Sequence, residues 1–218
     1  MVGLGDLTEN CTPFFFESQP HNVSLSLIEQ YALARSMIMK TIDTFLPHAP
    51  KLILAGVPGN HGEMSRTSKG QVSTNRLDNS DTMHLQICEE IMKANPERYG
   101  KVEVNVPTGF HQTIMVKGKT VAFTHGHMTG GGSGNPEAKI EKWWKGQMYG
   151  WLPVGDAEIL VTAHYHHLRM KQQGDRTWFQ APSIDQSIDF TAQTGLWSHP
   201  GVLTFTISDK GWDNYCPL

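Results

Sequence analysis

The most constraining feature of this 218-residue sequence is an apolar run that ends in a turn and two polar residues. Leu52–Val57 has the length and composition of a β-strand that is buried on both faces. Pro58 and Gly59 then stop the strand and turn the chain. Asn60 and His61 follow directly, so a carboxamide and an imidazole stand at the end of a rigid element. Taken alone, this pattern fits a polar surface loop as well as a functional site.

Three further segments repeat the arrangement of a strand that ends in metal-ligand residue types. Asp6 stands at what reads as the end of a first strand, although an ordinary turn aspartate would look the same. His125 and His127 follow one apolar run, and His164 and His166 follow another. Alternation along an extended chain would place His164 and His166 on the same side. Because strand ends meet at one edge of the sheet in α/β proteins, we expect the four groups to converge there.

The chemistry of these side chains points to a metal site. A mixture of carboxylate, carboxamide and imidazole, without cysteine, suits Mn²⁺, Fe or Zn²⁺ in an open site better than structural zinc. Two such ions about 4 Å apart activate a bridging water and hold the oxygens of a phosphoryl group during in-line displacement. A protein that binds a single metal through its histidines is an alternative. With His61 at the rim, the residues expected around one cavity are Asp6, Asn60, His125, His164 and His166.

The remaining pattern alternates helices and strands and predicts one α/β domain over residues 1–218. Ser26 and Glu29 form a capping box for a helix that runs to about Phe45 with a broad apolar stripe. Asp81 is the expected cap of a second helix over 82–94, and a third is predicted over 136–149. Further strands are predicted at 102–106, 113–116, 121–124, 157–163, 167–173, 176–181 and 201–208.

Composition argues against several classes of function. The chain has 18 Lys and Arg against 21 Asp and Glu, a formal net charge of −3, so no general attraction to nucleic acid or acidic membranes follows. A local basic patch can still be hidden in that average. Three widely spaced cysteines, Cys11, Cys88 and Cys216, argue for a reducing compartment. Without a membrane-length apolar run or a signal-peptide pattern, we expect a soluble cytoplasmic protein.

The order and spacing of the four strand-end motifs resemble the calcineurin-like metallophosphoesterase superfamily. The pattern of that family runs Asp-x-His, Gly-Asp, Gly-Asn-His-Asp/Glu, His and Gly-His-x-His. The resemblance covers about Gly5 to Ile207, and two segments near Trp143 and Pro153 are similar to its phage and actinobacterial branch. The motifs that carry it are Gly5-Asp6, Gly59-Asn60-His61, His125-Gly126 and His164-Tyr165-His166.

This resemblance implies an α/β/β/α sandwich of two mixed sheets flanked by helices. It also implies two divalent metal ions, with Mn²⁺ expected first and Zn²⁺, Fe or Ni²⁺ as alternatives. Asp6 would bridge both ions and His166 would bind one of them. The other ion would be completed by Asn60, His125 and His164.

His61 would be the catalytic residue, which hydrogen-bonds the phosphoryl oxygen or protonates the leaving group. The implied activity is phosphoester hydrolysis. The similarity to the phage and actinobacterial branch favours a phosphodiesterase or nuclease. Nucleic acid is therefore one candidate substrate, and the aromatic groups Phe14–Phe16 and Trp143-Trp144 would either stack bases or pack internally. Candidate supporting residues are Glu63, His127 and Arg66.

The sequence departs from the family pattern in three places. The Asp-x-His motif has no counterpart, which implies a first strand upstream of Met1 and makes a catalytically impaired binding module the alternative function. The acid expected after His61 is Gly62, and whether Glu63 reaches the imidazole is open. Ala163 replaces a glycine in the last motif, which is a mild change.

Overall fold

The fold is mixed α/β, with several sheets flanked by helices, as predicted. The computed structural model describes residues 1–9, 23–65, 75, 77–129, 135–185, 188, 191, 192, 195 and 197–218. They form two compact units, Met1–Phe110 and His111–Leu218, and the single-domain organisation stays a prediction. The positions predicted from sequence that lie outside the described residues are Phe14–Phe16, Cys11 and Arg66.

The first unit is built on a parallel sheet of three strands in the order β1-β2-β3. Its core joins apolar side chains of the central strand with those of two helices, including Ile42, Leu54, Leu85 and Cys88. Val2–Gly3 is short, yet it is paired along its length, so the predicted first strand end is confirmed. The elements are β1 Val2–Gly3, α1 Leu27–Phe45, a 3-10 turn Leu46–His48, β2 Leu52–Gly56, α2 Ser80–Ala94, α3 Pro96–Tyr99 and β3 Val102–Asn105.

Helix α1 has the predicted capping box but a narrower buried face than its sequence indicates. The Ser26 hydroxyl accepts the N–H of Glu29, and the Glu29 carboxylate accepts the N–H of Ser26. Only three of its apolar residues are buried, and those are Ala34, Ile38 and Ile42. The predicted apolar stripe is therefore wider than the buried face, and Ile28, one of its residues, is 79% exposed. Of the described helices, none is both long and apolar enough to cross a membrane.

Helix α2 begins two residues earlier than predicted and has a different cap. The N-cap is Asn79, whose side-chain oxygen accepts the N–H of Asp81 at 2.9 Å. Asp81 lies in the first turn, so its predicted role as cap is wrong. Because its carboxylate does not cap the helix, it can accept hydrogen bonds from loops outside the helix.

The second unit contains a five-stranded sheet in the order β4-β5-β6-β8-β7, with β5, β6 and β8 parallel. One face packs against α4 through Ile140, Leu160 and Trp178, and Trp144 Nε1 donates to the carbonyl of Val154 at 2.9 Å. Helix α4 has the predicted bounds, whereas β10 was not predicted. The elements are β4 His111–Val116, β5 Lys119–Thr124, α4 Pro136–Tyr149, a 3-10 turn Pro153–Asp156, β6 Ile159–Thr162, β7 Arg169–Gln173, β8 Arg176–Gln180, β9 Leu203–Ser208 and β10 Gly211–Pro217.

His84 of α2 is a fully buried imidazole, with 0% of its surface exposed. Neither ring nitrogen has a hydrogen-bond partner among the described residues, and the Tyr31 ring contacts it edge-on at 5.5 Å. Burial, and after it the positive charge of Arg35, lowers the pKa of His84 to about 4. The folded protein therefore favours the neutral imidazole more strongly than the unfolded chain does.

His84 should make the protein less stable in mild acid. The unfolded chain takes up a proton on His84 near the ordinary histidine pKa of about 6.5, whereas the folded protein does so only near pH 4. The contribution of the neutral imidazole to stability is therefore fully present above the unfolded-state pKa and is lost as the pH falls towards the folded-state pKa. Between about pH 7 and pH 5 the free energy of unfolding should decrease by roughly 2 kcal/mol less in His84→Phe than in the unaltered protein, as measured by urea titration at each pH. The exposed His48→Phe is the control. An unchanged pH dependence in His84→Phe would contradict this assignment.

Candidate metal-binding and catalytic residues

The parallel pairing of β1 with β2 brings two of the predicted strand ends together. Gly3 is in register with Gly56, and the N–H of Val57 donates to the carbonyl of Gly3 at 2.9 Å. The chain then leaves both strands on the same side. The N–H of His61 donates to Asp6 Oδ1 at 2.8 Å, so the predicted ligand Asp6 and the Asn60-His61 turn are direct neighbours.

Asp81 holds both turns in place from the start of α2. Its side chain is buried, and Oδ2 accepts the N–H groups of Asp6 at 3.0 Å and Gly59 at 2.8 Å. Oδ1 accepts the N–H of Leu7 at 2.9 Å. Burial, followed by the nearby charge of Asp6, raises the pKa of Asp81, and the three N–H groups act in the opposite direction. The carboxylate thus ties the ends of two strands to one helix terminus.

The side chains around Asp81 complete this arrangement. Asn79 Nδ2 donates to the carbonyl of Gly59 at 2.8 Å, and the N–H of Ser80 donates to the carbonyl of Gly62 at 2.7 Å. A Cβ on Gly59 would lie 2.1 Å from Asp6 Oδ1, and one on Gly62 would lie 2.5 Å from Asn79 Oδ1. Both positions therefore require glycine.

The carboxylate that contacts His61 is that of Glu9, which the sequence analysis did not single out. Glu9 Oε1 lies 2.5 Å from His61 Nδ1. Burial lowers the pKa of His61, but the hydrogen bond to Glu9 and the charges of Asp6, Glu9 and Asp81 outweigh it, so the pKa is raised overall. Glu63, which was considered for this role, is buried and forms a backbone bridge with Asn79. No local pattern marks Glu9, because the contact joins residues 52 positions apart.

In the second unit, three histidines cluster beyond the ends of β5 and β6. His125 is 2% exposed, and its Nε2 lies 3.2 Å from His164 Nδ1. The ring of His127 lies 5.2 Å from that of His125 and 6.2 Å from that of His164, centroid to centroid. The N–H of Ala163 donates to the carbonyl of His125 at 3.0 Å, which fixes the two chain segments to each other. Two predicted ligands and one supporting residue are thus gathered here.

Several of these residues have a left-handed backbone. The φ angle is 56° at Asp6, 65° at His164 and 55° at His166. Such values are unfavourable for residues other than glycine and recur at functional sites. They also correct the prediction that His164 and His166 follow an extended alternation, because β6 ends at Thr162 and the chain bends there. His166 is exposed.

The donor atoms in each unit fit divalent metal ions. Two imidazole nitrogens bound to one ion at about 2.0–2.1 Å are roughly 3.0–3.4 Å apart, and the His125–His164 nitrogens lie within that range at 3.2 Å. The first unit offers the Asp6 carboxylate and the Asn60 carboxamide, which suit harder ions. A set of oxygen and imidazole donors without thiolate is the set expected for Mn²⁺, Fe or Zn²⁺.

Comparison with known proteins gives only distant structural likenesses. No family model and no curated sequence matches the chain. A Vps29 single mutant from Entamoeba histolytica is 12% identical, with a TM-score of 0.41 over 81% of this chain and 89% of the other. An archaeal phosphodiesterase is also 12% identical, with a TM-score of 0.41 over 83% and 91%. A predicted phosphoesterase from Streptococcus pneumoniae TIGR4 is 10% identical, with a TM-score of 0.38 over 78% and 74%. Likenesses at this level assign neither a family nor an activity.

Asp81→Ala should destabilise the protein, because it leaves the N–H groups of Asp6, Leu7 and Gly59 without their buried acceptor. The expected loss of unfolding free energy is roughly 2–5 kcal/mol, measured by denaturant titration. Asp209→Ala, which removes an exposed carboxylate from the β9–β10 turn, should change stability by less than about 0.5 kcal/mol. Equal stability of the two variants would show that Asp81 does not anchor the turns.

Proposed function

We propose that this chain is a metal-dependent phosphoester hydrolase of the calcineurin-like metallophosphoesterase type, which acts on phosphodiesters. The observation that carries the proposal is the setting of His61, whose imidazole contacts the Glu9 carboxylate while its backbone binds Asp6. An imidazole oriented by a carboxylate, beside a carboxylate that can bind a metal ion, is suited to general-acid catalysis of metal-assisted phosphoester hydrolysis. The ordered sequence motifs support the same conclusion.

We further propose that the predicted ligands bind one pair of divalent ions. Asp6 would be shared, His166 would bind one ion, and His127 would support the histidine cluster. The remaining ligands would complete the other ion, and they are Asn60, His125 and His164. When bound, the ions would supply an activated water and electrostatic stabilisation of the phosphoryl oxygens. Mn²⁺ is the proposed ion, with Zn²⁺, Fe or Ni²⁺ as alternatives.

In this proposal His61 acts as the general acid. Its Nε2 would donate a proton to the leaving-group oxygen, while Glu9 at Nδ1 fixes the tautomer and the ring orientation. Asp81 contributes indirectly, because it holds the turns that carry Asp6 and His61. We place the protein in the cytoplasm, since Cys88 and Cys216 are both free thiols.

His61→Ala should lower kcat for bis-p-nitrophenyl phosphate by roughly 10²–10⁴-fold, because the general acid is lost. The content of bound Mn²⁺, measured by elemental analysis, should not change, since His61 is not a proposed ligand. An equal loss of metal and activity would show that His61 is a ligand. Absence of any metal-dependent hydrolysis in the unaltered protein would overturn the proposed function.

Glu9→Gln should have a smaller effect on kcat of roughly 10–100-fold, because the imidazole remains but loses its charged partner. Glu97→Gln changes the same charge at an exposed position of α3 and is the matched control. In a His61→Ala background, Glu9→Gln should have almost no further effect on kcat. A full additional loss in that background would mean that Glu9 acts independently of His61.

A further inference from the structure

The outward face of α4 carries two lysines and leads to two exposed aromatic side chains. Lys142, Lys145 and Tyr149 are three and four residues apart, so they lie on one side of the helix. Tyr149 is 85% exposed, and Trp151, just past the helix, is 89% exposed. No other large apolar or aromatic side chain in the described part of the chain is as exposed. We call these four residues the α4 outer face.

The two acidic residues of α4 are paired with a lysine of β7, whereas two of its lysines have no such partner. Lys171 of β7 contacts both acidic residues of the helix, with Nζ 2.5 Å from Glu137 Oε1 and a second ion pair to Glu141. The hydrogen bond from Lys171 lowers the pKa of Glu137. Lys142 and Lys145 are exposed and have no acidic partner among the described residues. The outer face is therefore positive, although the whole chain has a net charge of −3.

The backbone at Trp151 is unusual for a tryptophan. Its φ angle is 54°, a left-handed value that normally belongs to glycine at the end of a helix. The N–H of Trp151 donates to the carbonyl of Met148 at 3.2 Å, which closes the last turn. Because the indole is 89% exposed, internal packing does not account for a tryptophan at this position.

The N-terminal half of α4 passes beside the histidine cluster. A Cβ on Gly126 would lie 3.6 Å from both Ile140 Cδ1 and His164 Cβ, so Ile140 borders that cluster. At a rise of 1.5 Å per residue, Tyr149 lies about 14 Å further along the helix axis. Ile140 is fully buried on the covered side of α4, whereas Lys142 and Tyr149 are exposed on its other side.

We infer that the α4 outer face binds single-stranded nucleic acid. Unpaired bases would stack on Tyr149 and Trp151, and Lys142 and Lys145 would contact the neighbouring phosphates. The sequence pair Trp143-Trp144 does not take this role, since both side chains are partly buried against the core under α4. The inference names the substrate class of the proposed hydrolase and rests on the proposed function in that respect.

Binding can be measured separately from hydrolysis. Fluorescence anisotropy of a labelled oligothymidylate of about 20 nucleotides, in EDTA, should show binding by the full chain that weakens as salt rises. The double variant Lys142→Gln/Lys145→Gln should lower the slope of log affinity against log salt by roughly 1.4, about 0.7 for each phosphate contact. Lys40→Gln/Lys101→Gln makes the same change in net charge at exposed positions of the first unit and should keep the slope.

The stacking contribution has its own variant. Trp151→Gly should weaken oligothymidylate binding roughly 5- to 100-fold, because one base loses its aromatic platform. Its thermal unfolding temperature should stay the same or rise, since glycine fits the left-handed backbone without strain. A drop in affinity at unchanged stability therefore separates binding from folding.

Three results would overturn the inference: affinity unchanged in both α4 variants, equally strong binding of duplex DNA, or binding to phosphatidylserine vesicles without binding to the oligonucleotide. The last would identify the same aromatic and basic residues as a membrane-surface site. Binding that depends on the α4 outer face, in a protein without phosphodiesterase activity, would support this inference and refute the proposed function. Phosphodiesterase activity without such binding would support the proposed function and refute this inference.

Discussion

The first unit depends on a single buried carboxylate. Asp81 accepts N–H groups from both strand-end turns: those of Asp6 and Leu7 in one and that of Gly59 in the other. A buried negative charge is expensive unless it is fully hydrogen-bonded, and here the backbone supplies that compensation. The position of α2 follows from this contact, because the residue lies in its first turn, where the helix dipole also favours a carboxylate.

Several of the proposed ligands have unfavourable backbone conformations that fix the positions of their side chains. Asp6 has a left-handed φ of 56°, and Gly59 approaches it so closely that no larger residue fits. In the second unit, His164 and His166 have φ angles of 65° and 55° at the end of β6. Such conformations persist only where surrounding contacts impose them. The proposed ligands are thus placed by packing and hydrogen bonds, in the way that sites with fixed donor positions require.

The strand ends and helix α1 could be predicted from the sequence, because the patterns that indicate them are local. Apolar runs followed by polar residues located the ends of β1, β2, β5 and β6, and the Ser26 capping box located α1. The contacts that organise the site could not be predicted. Glu9 and Asp81 act over 52 and 75 residues of sequence, and no periodicity encodes such pairs. The exposure of Ile28 and Trp151 likewise depends on which side of a helix is covered, which the apolar pattern alone does not decide.

The most direct test of the proposed function is whether Asp6 and His125 are both ligands of the proposed pair of metal ions. Elemental analysis of Mn²⁺-loaded protein after dialysis tests it with Asp6→Asn, His125→Gln and the double variant. Asparagine tolerates the left-handed backbone and keeps an acceptor for the His61 N–H, so the fold of the turn is retained. Asp6→Asn alters the ligand proposed to be shared, so it should lower the content of both ions, whereas His125→Gln should lower the content of one. The double variant should lose no more metal than Asp6→Asn alone. Metal content that is unchanged in either single variant, or a larger loss in the double variant than in Asp6→Asn, would contradict the proposed ligand set.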